Sequence, residues 1–123
     1  MTVFRTDEGV LASVRTRLSG TSATAIVTAG NRRVYIEELT VTNTGSGTPS
    51  ITIDVLSGAT AYVLLQEHPL TAKAGVDSNT NLPKSLIEWK KTEVLEAGES
   101  LRVTSSVGSN AVHVHALTRE STQ

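Results

Sequence analysis

The 123-residue sequence predicts an all-β protein, a single antiparallel β-sandwich of about eight short strands. Composition points there first: 18 Thr, 13 Ser and 14 Val make up 45 of the 123 residues, against four aromatics, Phe4, Tyr35, Tyr62 and Trp89. Thr and Val are stiff at the first side-chain torsion and fit a pleated surface better than a helix, while Ser beside Gly and Asn marks turns. Second, apolar and polar residues alternate with a period of two in several short runs. Third, turn residues recur about every ten positions, the spacing of an antiparallel sandwich or jelly roll. No stretch of useful length has a helical period.

Taken in order, Val10, Ala12, Val14, Thr16 and Leu18 fall on one face of a first strand, with Leu11, Ser13, Arg15 and Arg17 on the other. Ser19 to Ser22 form a turn, Ala23 to Ala29 a second strand, and Gly30-Asn31-Arg32-Arg33 a second turn. The run from Val34 to Asn43 changes phase, because Val34 and Ile36 share one parity and Leu39 and Val41 the other. One extra residue at Glu37 or Glu38, a β-bulge, reconciles them without turning the core face outward. After the loop Asn43 to Ser50, Ile51, Ile53 and Val55 define a strand, and Ser57-Gly58-Ala59-Thr60 turns the chain into Ala61 to Leu65. Periodicity fades between Gln66 and Trp89, although Leu86 to Trp89 still reads as a short strand. Val94 and Leu95 precede the turn Glu96 to Glu99. Leu101, Val103, Ser105 and Val107 then alternate with Arg102, Thr104 and Ser106, and Gly108-Ser109-Asn110 closes a hairpin into Val112, Val114 and Ala116, with His113, His115 and Leu117 outward. The resulting organisation is an N-terminal arm at 1–9, a sandwich at 10–118 with a long loop region at 66–89, and a frayed polar tail at 119–123.

Length and charge bound the function. At this size a core can be self-sufficient without disulfides or a structural metal. The absence of Cys excludes thiolate catalysis and Cys-ligated zinc, and 11 Lys+Arg against 12 Asp+Glu give a net charge of −1. A chain without a basic field is not expected to bind nucleic acid or an anionic membrane. No apolar stretch is long enough for a signal peptide core or a membrane-spanning helix, so the expectation is a protein made and folded in a reducing cytosol.

The segments Arg33 to Thr44, Ile51-Thr52-Ile53, Tyr62 to Leu65 with His68-Pro69-Leu70, and Val94 to Val103 together resemble small bacteriophage virion proteins, single jelly-roll or β-sandwich domains of capsids and tails. Leu39-Thr-Val-Thr-Asn43 and Leu95-Glu-Ala-Gly-Glu99 carry most of the likeness, which covers about residues 23 to 117. The resemblance implies a structural protein that assembles in the host bacterial cytoplasm and resides in the virion. It implies a capsid decoration or cement protein, a homotrimer bound to the major capsid protein on the outer head. Alternatives are a tail, neck or fibre-base component, or a carbohydrate-binding module for host adsorption, against which the few aromatics weigh.

Candidate chemistry is sparse. His113 and His115 share a strand face and so form a potential chelating pair, but further ligands are lacking nearby, and a surface pair or a pair lining a subunit contact is the alternative. Glu37, Glu38, Glu93, Glu96 and Glu99 lack the facing geometry of a hydrolytic carboxylate pair. Neither a Gly-x-Ser-x-Gly elbow nor a phosphate loop occurs. The expectation is a non-enzyme without cofactor or metal. Contact with a partner is expected at Phe4 and Arg5 of the arm, at an arginine patch of Arg15, Arg17, Arg32 and Arg33, at His113 and His115, and at Trp89, which is either a lid over the core or a contact anchor.

Overall fold

The structure, a computed structural model, describes residues 10–70, 86–89, 91–108 and 110–121. Nine strands form among them: β1 (Val10–Leu18), β2 (Thr24–Thr28), β3 (Val34–Asn43), β4 (Ser50–Ser57), β5 (Thr60–Pro69), β6 (Leu86–Trp89), β7 (Glu93–Leu95), β8 (Ser100–Ser105) and β9 (Val112–Glu120). No helix occurs among the described residues. The strands pair as mirror images about one tight turn. β4 pairs β5, β3 pairs β6 and β7, β2 pairs β8, and β1 pairs β9, all antiparallel. The chain is therefore one long hairpin, and pairing of β3 with β9 and of β4 with β8 rolls it into two sheets. Their orders are β1-β9-β3-β6, with β7 also on β3, and β2-β8-β4-β5. This is the jelly-roll arrangement of a double-sheet sandwich, as the sequence predicts.

The turn at the centre of the hairpin depends on Gly58, whose φ of 61° suits the first position of a two-residue loop. Inward residues of the two sheets make the core. Ile51 and Ile53 of β4, Leu101 and Val103 of β8, and Val112 and Val114 of β9 are all at most 1% exposed. The expected bulge is present. The register of β3 against β9 shifts between Ile36 and Glu38, leaving Glu37 as the extra residue. Val34 and Ile36 before it and Leu39 and Val41 after it are consequently all buried. A second shift, between Ala25 and Val27 of β2, buries Ile26 and Val27 although they are adjacent.

Several sequence boundaries need correction. Gln66 to Pro69 belong to β5 and not to the long loop region; register shifts on either side of Ile53 and a left-handed Glu67 (φ 43°) keep the strand on β4 past the point where alternation fails. The Glu67 N–H is held there by Thr52 Oγ1 at 3.1 Å. Glu93 to Leu95 form a strand rather than a lead-in to a turn, because β3 is long enough to pair β7 beyond the end of β6. Val107 lies outside β8, which stops at Ser105 where the Ser105 hydroxyl bridges the Val107 amide and carbonyl, and the connection from β8 to β9 crosses between the two sheets rather than closing the expected hairpin. Arg119 and Glu120, assigned to a frayed tail, continue β9 between β1 and β3, and the buried Ser121 donates its N–H to the Arg33 carbonyl at 2.8 Å. The arm at 1–9, residues 71–85 of the loop region and the last two residues of the tail lie outside the described residues.

Asn43, at the end of β3, shows how a polar group can organise this core. Its amide donates to the carbonyls of Gly47 (2.8 Å) and Leu70 (3.1 Å), and its Oδ1 accepts from the Gly45 N–H (3.0 Å). At 1% exposure it ties the β3–β4 loop to the end of β5. Replacing Asn43→Ala strands buried backbone groups and is expected to cost about 2–3 kcal/mol. Urea unfolding should show a lower midpoint with an unchanged slope; an unchanged midpoint would remove Asn43 from this role.

Candidate interaction surface

Strand register places side chains in rows across the outer face of the first sheet. Arg15 lies opposite His115, His115 opposite Thr40, and Thr40 opposite Glu88, so one row reads Arg15–His115–Thr40–Glu88. The neighbouring row holds Arg17, His113 and Thr42. Side chains directly opposite one another on antiparallel strands sit about 5 Å apart at Cβ, so two arginines and two histidines converge. They line a hollow of about 400 Å³ together with Thr16, Thr42 and Val114. Neither Arg15 nor Arg17 has an ion-pair partner among the described residues, and His113 Nε2 lies 3.1 Å from the Asn110 carbonyl. On the other side of Thr40, a smaller hollow of about 180 Å³ is lined by Glu38, Glu88, Thr40, Leu39 and Trp89.

The expected arginine patch divides in two. Arg15 and Arg17 belong to the histidine hollow. Arg32 and Arg33 sit in the turn before β3, at the opposite end of the sheet, where Val34 pairs Glu120. Arg33 is occupied there. Its Nε donates to Glu96 Oε1 at 3.1 Å, and its pKa is raised by the Tyr35 side chain first and Glu96 second. Trp89 lies opposite Leu39, packs on the core, donates Nε1–H to Glu93 Oε1 at 3.3 Å and lines the smaller hollow. Phe4 and Arg5 lie outside the described residues.

Metal chelation by the histidine pair is opposed by the charge beside it, since Arg15 and Arg17 are the direct cross-strand neighbours of His115 and His113. Among the described residues no group of three or more His, Cys, Asp or Glu side chains could hold a metal ion. What the hollow can do chemically is attract carboxylates or other anions through two guanidiniums.

Three interactions escaped sequence reasoning. Arg102 grips Asp54 with two bonds of 2.8 and 2.9 Å across β8 and β4, which raises the arginine's pKa. Arg119 donates to Glu37 Oε1 at 3.0 Å and stands 4.5 Å above the Tyr35 ring. Glu88 supplies the acidic end of the Arg15 row. The partners of the two ion pairs are 48 and 82 residues apart, so no local pattern announces them.

No family model matches the chain, and no curated protein matches it. Solved structures match in fold. A chain of the acidic stable capsid structure of Helicobacter pylori bacteriophage KHP30 is 12% identical over 90% of this chain and 86% of that one, with a TM-score of 0.55. A pentameric capsid protein isolated from metagenomic phage sequences is 17% identical over 88% of this chain, with a TM-score of 0.47; this chain spans 61% of its length. A metallopeptidase from Pseudomonas aeruginosa, 16% identical, matches 94% of this chain with a TM-score of 0.41, but the match covers 13% of the enzyme. At 12% identity the likeness to the KHP30 capsid chain is one of fold.

Because no ligand set is assembled around His113 and His115 among the described residues, EDTA should leave the melting temperature unchanged. A fall of several degrees would reveal a bound structural metal.

Proposed function

We propose that this chain is a non-enzymatic structural component of a bacteriophage virion, and in the finer reading a capsid decoration or cement protein that binds the major capsid protein on the outer head. The observation that carries the proposal is the fold shared with the KHP30 capsid chain over nearly the whole length of both chains. A disulfide-free jelly roll suits a protein that folds in the host bacterial cytoplasm and ends in the particle. Function in such a protein resides in its contacts, and the surface supports that view. The two sheets end in β1 and β6/β7 and in β2 and β5, and the edge strand β5 carries Tyr62 at 59% and Val63 at 49% exposure. Edges of this kind in a free monomer invite uncontrolled pairing, so a homo-oligomer that covers them is the expected state, a trimer in the cement-protein reading.

A second reading, that the chain is itself a lattice subunit of the capsid, is favoured by the 86% coverage of the KHP30 capsid chain. The two differ in order of events. A decoration protein adds to finished heads, whereas a lattice subunit is needed to make them.

Attachment is expected to use the arm, whose sequence Val3-Phe4-Arg5 joins an apolar anchor to a charge. Deleting Met1 to Glu8 should leave the melting temperature nearly unchanged and reduce co-sedimentation with undecorated heads. Equal occupancy of both forms at limiting concentration would remove the arm from the mechanism. Binding to tails or to host cells instead of heads would favour a tail component or an adsorption module.

A further inference from the structure

The outer face of the first sheet has an internal symmetry of charge and hydrophobicity. The row Arg15–His115–Thr40–Glu88 runs from cation on the β1 edge to carboxylate on the β6 edge. Turned end for end, it is its own complement. A second row, two rungs away, behaves in the same way: Leu11 lies opposite Arg119, Arg119 opposite Tyr35, and Tyr35 opposite Val94. Its two ends are exposed aliphatic side chains, Leu11 at 64% and Val94 at 41%.

From this we infer that the outer face of the β1-β9-β3-β6/β7 sheet is a contact between two copies of this chain, related by a twofold axis parallel to the strands and passing between β9 and β3. Such an axis stacks β1 of one copy on β6 and β7 of the other, and β9 on β3. One operation then satisfies both rows. Arg15 of each copy meets Glu88 of the other, and Leu11 of each meets Val94 of the other, so each contact occurs twice, as an isologous interface requires. Along the axis the β9 and β3 residues of each row meet, His113 on Thr42, His115 on Thr40, Leu117 on Glu38 and Arg119 on Tyr35, and none of these is a like-charge pair. Strand directions coincide in the two copies, the geometry of aligned sheet packing.

The occupant is a second copy because the charges call for one. The cationic hollow of Arg15, Arg17, His113 and His115 attracts a carboxylate, and Glu88, in the same row as Arg15 at the far edge of the same face, supplies one from the other copy. Area is sufficient. Four strands about 4.8 Å apart and four outward rungs about 6.8 Å apart give a plane of about 500 Å² on each copy. Twice that reaches the roughly 1,000 Å² that marks the lower bound of a specific interface.

The inference rests on the reading of the chain as a self-associating subunit, with a twofold dimer in place of the trimer of the cement-protein reading, and its test needs no particle. The purified chain is compared with Arg15→Glu, with Glu88→Arg, and with an equimolar mixture of the two, using light scattering to measure mass. Each variant alone places like charges in both contacts and should have half the wild-type mass. In the mixed pair each contact again joins opposite charges, so the mixture should recover the wild-type mass, a result that loss of folding cannot mimic. Leu11→Asp should also halve the mass. A variant that keeps the wild-type mass, or a mixture that stays at half, overturns the contact. If the masses behave as stated and heads are not bound in the sedimentation assay, the virion reading falls and the twofold contact stands.

Discussion

Because β9 is hydrogen-bonded between β1 and β3, the first sheet cannot form until the last strand of the chain is in place. Everything on its outer face depends on that insertion, since β9 supplies the two histidines and sets the register that aligns Arg15 and Arg17 with Thr40 and Thr42. The inner face depends on it equally: Val112, Val114 and Ala116 are at most 1% exposed and fill the space between the sheets. The pairing also has a kinetic cost. Residues 10–18 must wait for partners about a hundred positions later, and topologies dominated by such distant contacts fold in milliseconds to seconds rather than microseconds.

Ion pairs repeat the mirror logic of the strands. Arg119 with Glu37, Arg102 with Asp54, and Arg33 with Glu96 each join the first half of the hairpin to the second. They act as register marks: Asp54 and Arg102 are direct cross-strand partners, and a slip of one residue would move them to opposite faces. On the second sheet this pair neutralises the outer face, where Thr28 and Ser100 are also linked by a hydrogen bond. The first sheet has the Arg119–Glu37 pair near one end of its outer face and, toward the other end, Arg15 and Arg17 on β1 and Glu88 on β6. The two broad faces are thus unequal in how their charges are distributed.

The sequence made the inward positions and the bulge legible because both follow from a period of two, which a parity change at Glu37 and Glu38 interrupts visibly. It placed His113 and His115 outward for the same reason. Periodicity says nothing about which strand lies beside which. Hence the end of β5, where two register shifts scramble the parity, looked like loop, and Arg119 and Glu120 looked like tail although both are paired on two sides. Arg15 and Arg33 resembled members of one patch because their separation along the strands becomes evident only once β3 and β1 are both registered on β9. The position of Trp89 opposite Leu39 is likewise a matter of register, which its own neighbours in sequence do not encode.

Val10 and Glu120 are register partners, so the first strand begins where the last one ends. A load applied between these two points would not slide the strands past each other. It would open the β1–β9 ladder one rung at a time, like a zip, and each rung resists alone. The domain is therefore mechanically soft when pulled through β1 and β9, and stiff when pushed through its faces, where all rungs share the load. A sandwich of this topology withstands compression across its sheets and yields first under tension applied at the start of β1 and the end of β9.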